Sequence, residues 1–128
     1  MLHHLTLWVP DLARAEPSWR WLLGELGYRV QAPREGVLVF RCDDGAAIVM
    51  EQSRDMVPGM LHSRLRPGLN HVAFDVPSAI DMLELVAAAA GHGWKALPID
   101  GHPIAGGAEV AYLEDRDGFE VELVAPLG

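Results

Sequence analysis

The sequence predicts an α+β fold: two tandem βαβββ modules that together form a curved mixed-sheet cup. Three observations lead there. His4-Leu5-Thr6-Leu7-Trp8-Val9-Pro10 and His71-Val72-Ala73-Phe74-Asp75-Val76-Pro77 share one pattern, a histidine and an alternating run closed by Val-Pro, at an offset of 67 positions (71 − 4 and 77 − 10). Asp44-Gly45-Ala46-Ala47-Ile48-Val49 and Asp117-Gly118-Phe119-Glu120-Val121-Glu122 echo each other at 73 (118 − 45 and 122 − 49), so about six extra residues lie between the echoes of the second half. In each half one strand-like run precedes a helix-like run, and three more strand-like runs follow. A module with one helix and one sheet face has too little to bury alone, so the two should pair within a single domain over 1–128. The boundaries read as module one at 1–52, a linker at 53–67 and module two at 68–128.

Each element has its own local reason. Leu5, Leu7 and Val9 alternate with His4, Thr6 and Trp8, the period of a strand with two unlike faces. Pro10 stops it, and Asp11 is placed to cap a helix from about Ala13 to Glu25 carrying Trp19, Leu22, Leu23 and Leu26 at helical spacing. Pro17 belongs in the first turn of that helix, where its missing N–H costs nothing, and Gly27 is the better C′ candidate at its end. Tyr28 to Val30 opens a second strand, Pro33 to Gly36 a turn, Val37 to Arg41 a third strand and Ala46 to Glu51 a fourth. The stretch from Ser53 to Pro67 has no periodicity. Beyond it the order repeats: a strand from His71 to Val76, a helix capped by Ser78 and ended by Gly91, a strand from Trp94 to Ile99, a glycine-rich loop from Gly101 to Gly107, and strands at Ala108 to Leu113 and Phe119 to Ala125 joined by a turn at Asp115 to Gly118.

Composition narrows the function. The 128 residues are half apolar and 22% charged, which suits a folded globular chain. A net charge of −8 argues against nucleic acid, whose phosphates call for clustered Lys and Arg. It leaves room for a cationic small ligand, and also simply favours solubility. Cys42 stands alone, so no internal disulfide or Cys-rich zinc site is expected. There is no secretory signal pattern and no apolar run long enough for a membrane span, so a cytoplasmic location is expected, with no membrane partner.

Strand parity decides which side chains can meet. If Leu5, Leu7 and Val9 face the helix, then His4, Thr6 and Trp8 face the other way. The same reasoning puts His71 and Ala73 opposite Val72 and Phe74, and Glu122 opposite Val121 and Leu123. Should the sheets curve towards each other, that second face is an interior. Two imidazoles and a carboxylate converging there are what a divalent metal needs.

These residues resemble the vicinal oxygen chelate superfamily, the glyoxalase, bleomycin-resistance and extradiol-dioxygenase group. The resemblance covers nearly the whole chain. It rests on His4 to Leu12, Leu22-Leu23-Gly24-Glu25-Leu26-Gly27-Tyr28, Leu69 to Val76, and Tyr112 to Leu123, in this order within the duplicated frame. The family's ligand positions, on the first and fourth strands of each module, fall on His4, Val49, His71 and Glu122. Three are competent, and Val49 departs from glyoxalase I, which uses all four. The resemblance therefore implies His4, His71 and Glu122 as ligands of a divalent ion (Fe²⁺, Mn²⁺, Zn²⁺ or Ni²⁺), like the two-His-one-carboxylate set of extradiol dioxygenases. It places Tyr112 where those enzymes carry a catalytic tyrosine, although Arg116 stands where proline is usual and His102 is displaced from the usual histidine spacing. It also implies a homodimer.

Thr6, Trp8, Val49, Glu51 and Ala73 share the inward face and are the substrate-contact candidates. Plainer roles stand beside these. His4 or His71 taken singly would fit a strand histidine satisfied by carbonyls. Glu122 shares its parity with Glu120, and either would fit a solvated strand carboxylate. Trp8 would fit a stacking wall or a rim residue, and Glu51 a rim charge. His3, His62 and His102 read as exposed. Three functions fit this sequence. One is a small divalent-metal-dependent enzyme acting on a substrate that chelates the metal through adjacent oxygens. Another is a metal-free protein that binds and sequesters an antibiotic or other planar small molecule. The third is a degenerate structural or biosynthetic accessory domain with no ligand, which the polar inward positions favour least.

Overall fold

The computed structural model describes residues 1–98 and 108–126. The predicted glycine-rich loop, with His102, and the predicted strand end at Ile99 lie outside the described residues. The fold is α+β, with two tandem βαβββ modules and two mixed four-stranded sheets. The chain divides into two compact units, Met1–His62 and Ser63–Gly128. Residues 52–70 carry neither helix nor strand.

In the first unit β1 (His4–Trp8), α1 (Leu12–Glu25), β2 (Arg29–Arg34), β3 (Val37–Arg41) and β4 (Ala47–Glu51) form a sheet of order β1-β4-β3-β2. β1 runs parallel to β4, and the other two pairings are antiparallel. In the second unit β5 (His71–Asp75), α2 (Ala79–Ala89), β6 (Lys95–Leu97), β7 (Ala108–Glu114) and β8 (Glu120–Pro126) repeat this as β5-β8-β7-β6. The duplication extends to register. Thr6 pairs with Val49 and Ala73 with Glu122, the offsets of 67 and 73 read from the sequence.

Burial separates the two faces on β1 and at Phe74 of β5, whereas Val72 is half-buried like His71 and both faces of β8 are buried from Glu120 to Leu123. Leu7 is buried on β1 while His4, Thr6 and Trp8 are exposed, and on β5 Phe74 is buried while Ala73 and Asp75 are exposed. Trp19, Leu22 and Leu23 of α1 are fully buried, as are Phe40 and Met50 of the first sheet. In the second unit Met82, Leu113, Val121 and Leu123 are buried. Each such side chain withdrawn from water contributes roughly 1.5–3 kcal/mol.

Both helix caps form as the sequence requires. The Asp11 carboxylate accepts from the N–H of Arg14 at 3.2 Å, and the Ser78 hydroxyl accepts from the N–H of Asp81 at 3.1 Å. At the end of α1 the N–H of Tyr28 reaches Leu23 O at 2.9 Å and that of Gly27 reaches Gly24 O at 3.1 Å, a Schellman closure around Gly27 at φ 92°.

Four expectations are corrected. Pro17 lies in the second turn of α1, not the first, because the Asp11 cap starts the helix at Leu12. The helix tolerates a proline there at the cost of the bond to the Ala13 carbonyl. Gly91 does not end α2: a 3-10 turn, Ala90–His92, continues it to Gly93, whose left-handed φ of 85° makes the stop. β2 runs through Pro33 to Arg34. It is an edge strand and its register shifts between Gln31 and Arg34, which is where a residue without an N–H can be accommodated. Finally, neither Glu120 nor Glu122 is a solvated strand residue. They are 2% and 8% exposed.

Candidate functional site

The polar side chains that the structure gathers lie in the second unit. His71 opens β5, and β8 beside it brings Glu120 and Glu122 to the same face. His71 Nε2 is 3.9 Å from Glu122 Oε1, and Nδ1 is 3.6 Å from Glu120 Oε2. Tyr112 comes from β7, where it is the register partner of Glu122. Its ring meets the His71 imidazole edge-on, with centroids 6.1 Å apart. Tyr112 is only 2% exposed. Burial, and then the hydrogen bond between its hydroxyl and Glu122, push the phenol up to about 12. It stays a neutral donor across the ordinary pH range.

Behind His71 stand residues that sequence reasoning missed. Asn70 Oδ1 lies 2.7 Å from His71 Nδ1, and Asn70 Nδ2 donates to the Arg64 carbonyl at 3.0 Å. The Arg64 guanidinium pairs with Glu114 and lies 3.7 Å from Glu120. Asn70 adjoins His71 within the Leu69 to Val76 run, so its position was visible although its contact was not. Arg64 gave no signal: it sits in an aperiodic stretch, 50 positions from Glu114.

The first unit holds the other predicted residues. His4 is exposed, with Nδ1 2.8 Å from His3 Nδ1 and the two rings edge-on at 5.1 Å. Thr6 lies beside Val49, and Trp8 beside Glu51, on the parallel pair. Trp8 is 46% exposed, and Glu51 is engaged by Arg34 at 3.1 Å. Ala73, in the second unit, is the register partner of Glu122. The predicted donors are thus divided, His4 in one unit and His71 with Glu122 in the other. Among the described residues, neither unit by itself brings three His, Cys, Asp or Glu side chains together in a group that could hold a metal ion.

The second unit brings one imidazole–carboxylate pair together, His71 with Glu122. An ion bonded tetrahedrally to an imidazole nitrogen and a carboxylate oxygen at about 2.0–2.2 Å has those donors about 3.4 Å apart, and about 4.3 Å is the limit for two donors in line with it. His71 and Glu122, at 3.9 Å, lie inside that limit and wider than the tetrahedral separation. As two donors they need further ligands to complete a site.

Comparisons with known proteins agree with the architecture. Residues 3–112 match the family model described as the Glyoxalase/Bleomycin resistance protein/Dioxygenase superfamily. The uncharacterized protein YqjT of Bacillus subtilis (strain 168) is 32% identical over 127 residues, covering 98% of each chain. The crystal structure of a candidate glyoxalase from Bacillus halodurans is 34% identical, with a TM-score of 0.85 over 98% of this chain and 96% of that one. The fosfomycin resistance protein FosX of Listeria monocytogenes shares the fold at a TM-score of 0.68 and 20% identity, over 99% of this chain and 91% of its own. With the family model spanning most of the chain and a relative matched end to end, this protein belongs to the glyoxalase/bleomycin resistance protein/dioxygenase superfamily.

Proposed function

We propose that this protein is a small divalent-metal-dependent enzyme of the glyoxalase or extradiol-dioxygenase type, acting on a substrate that offers two adjacent oxygens. The observation that carries this reading is the approach of His71 Nε2 to Glu122 Oε1 at 3.9 Å, with a neutral Tyr112 hydroxyl held against the same carboxylate. His4, the repeat counterpart of His71, is proposed as the third donor. A bound divalent ion would supply Lewis acidity towards the paired substrate oxygens.

The chain's own residues have distinct tasks in this scheme. His71 and Glu122 would hold the ion. Tyr112 donates its hydroxyl to the Glu122 carboxylate and is the candidate catalytic residue, its phenol kept neutral by burial and by that hydrogen bond. Thr6, Trp8, Val49, Glu51 and Ala73 are the proposed substrate wall. Exposed Trp8 offers an aromatic face, and Val49 offers an apolar surface in place of a fourth ligand. A homodimer in the cytoplasm is the proposed setting.

Metal analysis of protein purified without added metal tests the reading. The wild type should carry or take up close to one divalent ion per chain, and His71→Ala should lose it while keeping its far-ultraviolet circular dichroism. Unchanged metal content in that variant would remove the proposal. Exposed Trp8 supports a second reading, a metal-free sequestering protein for a planar compound. That reading requires Trp8→Ala to weaken ligand binding equally with and without chelator.

A further inference from the structure

We propose that Asn70 is a positioning residue that fixes His71 as the Nδ1–H tautomer, leaving Nε2 as the lone-pair nitrogen facing Glu122. The Arg64 carbonyl can only accept. Its partner at 3.0 Å must therefore be the Asn70 amide nitrogen, and that settles which way the amide faces. Oδ1 is then the atom 2.7 Å from His71 Nδ1, and an amide oxygen can only accept as well. Nδ1 must carry the hydrogen. A second acceptor, Glu120 Oε2 at 3.6 Å, faces the same nitrogen and favours the same assignment.

With one proton placed on Nδ1, neutral His71 presents a lone pair at Nε2. That lone pair looks towards a carboxylate oxygen 3.9 Å away. Two acceptors so arranged suit an electrophile between them and not a direct bond. The carbonyl that orients Asn70 is itself held in place, because the Arg64 side chain is tied to Glu114 on β7 and lies near Glu120 on β8. A loop residue without periodic signature thereby sets the chemistry of a strand histidine. The use made of Nε2 rests on the metal-dependent reading above; the tautomer itself does not. His4 lacks such a device, since its Nδ1 faces another imidazole, His3, and either ring can donate.

Long-range ¹H–¹⁵N correlation spectra of the whole, metal-free chain at mildly alkaline pH test the proposal, with His71 assigned by its disappearance in His71→Gln. The wild type should show His71 as Nδ1–H. Asn70→Ala should shift it towards Nε2–H, and Asn70→Asp, which keeps an acceptor at Nδ1, should leave Nδ1 protonated. A role confined to folding would not move this signature between variants with the same circular dichroism. Titration with Zn²⁺ alone should then show affinity reduced about 10–100-fold in Asn70→Ala. A wild-type His71 that is Nε2–H or doubly protonated, or an Asn70→Ala spectrum unchanged from wild type, overturns the proposal. Should the wild type show the expected tautomer and its loss in Asn70→Ala but bind no Zn²⁺, Asn70 keeps its assignment and the metal-dependent reading falls.

Discussion

Tyr112 and Glu122 face each other as register partners on antiparallel β7 and β8, and the phenol hydroxyl is hydrogen-bonded to the carboxylate. A nearly buried carboxylate needs a donor, and here the neighbouring strand supplies it. Tyr112→Phe keeps the ring and deletes the hydroxyl. We expect a loss of about 1–3 kcal/mol of stability, measured by chemical denaturation. Circular dichroism should be unchanged.

Alkaline pH offers a second test. The chain has two tyrosines, Tyr28 and Tyr112, and both phenols are pushed from 10.0 up to about 12. For Tyr28 the causes are burial and then a hydrogen bond with Cys42. Because the folded state holds these protons more firmly than the unfolded chain, their stabilising effect is complete below pH 10 and is lost as pH rises from 10 towards 12. A near-ultraviolet phenolate titration of metal-free protein should therefore show no step centred at 10. A midpoint there for either tyrosine would refute the assignment.

Asp115 closes the turn between β7 and β8. Its Oδ1 accepts from the N–H groups of Asp117 and Phe119, each at 2.9 Å, and the residue is 6% exposed. Asp115→Ala strands a buried N–H and should cost about 1–3 kcal/mol in a urea melt. Asp115→Asn, which keeps an acceptor, should cost less.

Gly27 provides a purely conformational prediction. A Cβ there would meet nothing within 4 Å, so space is not the constraint; the φ of 92° is. Gly27→Ala should lower stability by about 1–2 kcal/mol. Gly24, whose added Cβ also meets nothing, lies within the helix at ordinary φ, and Gly24→Ala should be neutral or stabilising. Comparing the two melting curves separates backbone strain from packing.

Much of the frame was legible because duplication wrote each strand twice. The matched His-to-Pro runs gave β1 and β5, and the Asp-Gly echoes gave β4 and β8, with register offsets that the paired strands reproduce. Parity separated Leu7 from Thr6 and Phe74 from Ala73. It failed between Glu120 and Glu122, because residues two apart on a strand share a face and alternation cannot rank them. The network behind His71 was not legible for a different reason. Arg64 finds Glu114 across 50 positions, and no local period encodes such a meeting. Helix ends fell between these cases. Gly27 could be read from position, but Gly91 could not be told from Gly93 when both follow an alanine run.

The register also shows where this protein can change size. Tyr112 and Val39 differ by 73 positions, as do Leu113 and Phe40, whereas Ala96 on β6 and Val30 on β2 differ by only 66. All the surplus length of the second half therefore enters between β6 and β7. The parallel joints behave as parts machined to a common gauge, and the surplus falls in sequence between the end of β6 and the start of β7. Lengthening or trimming that connection should leave the pairing of Ala73 with Glu122 untouched, because neither strand of the parallel joint borders it.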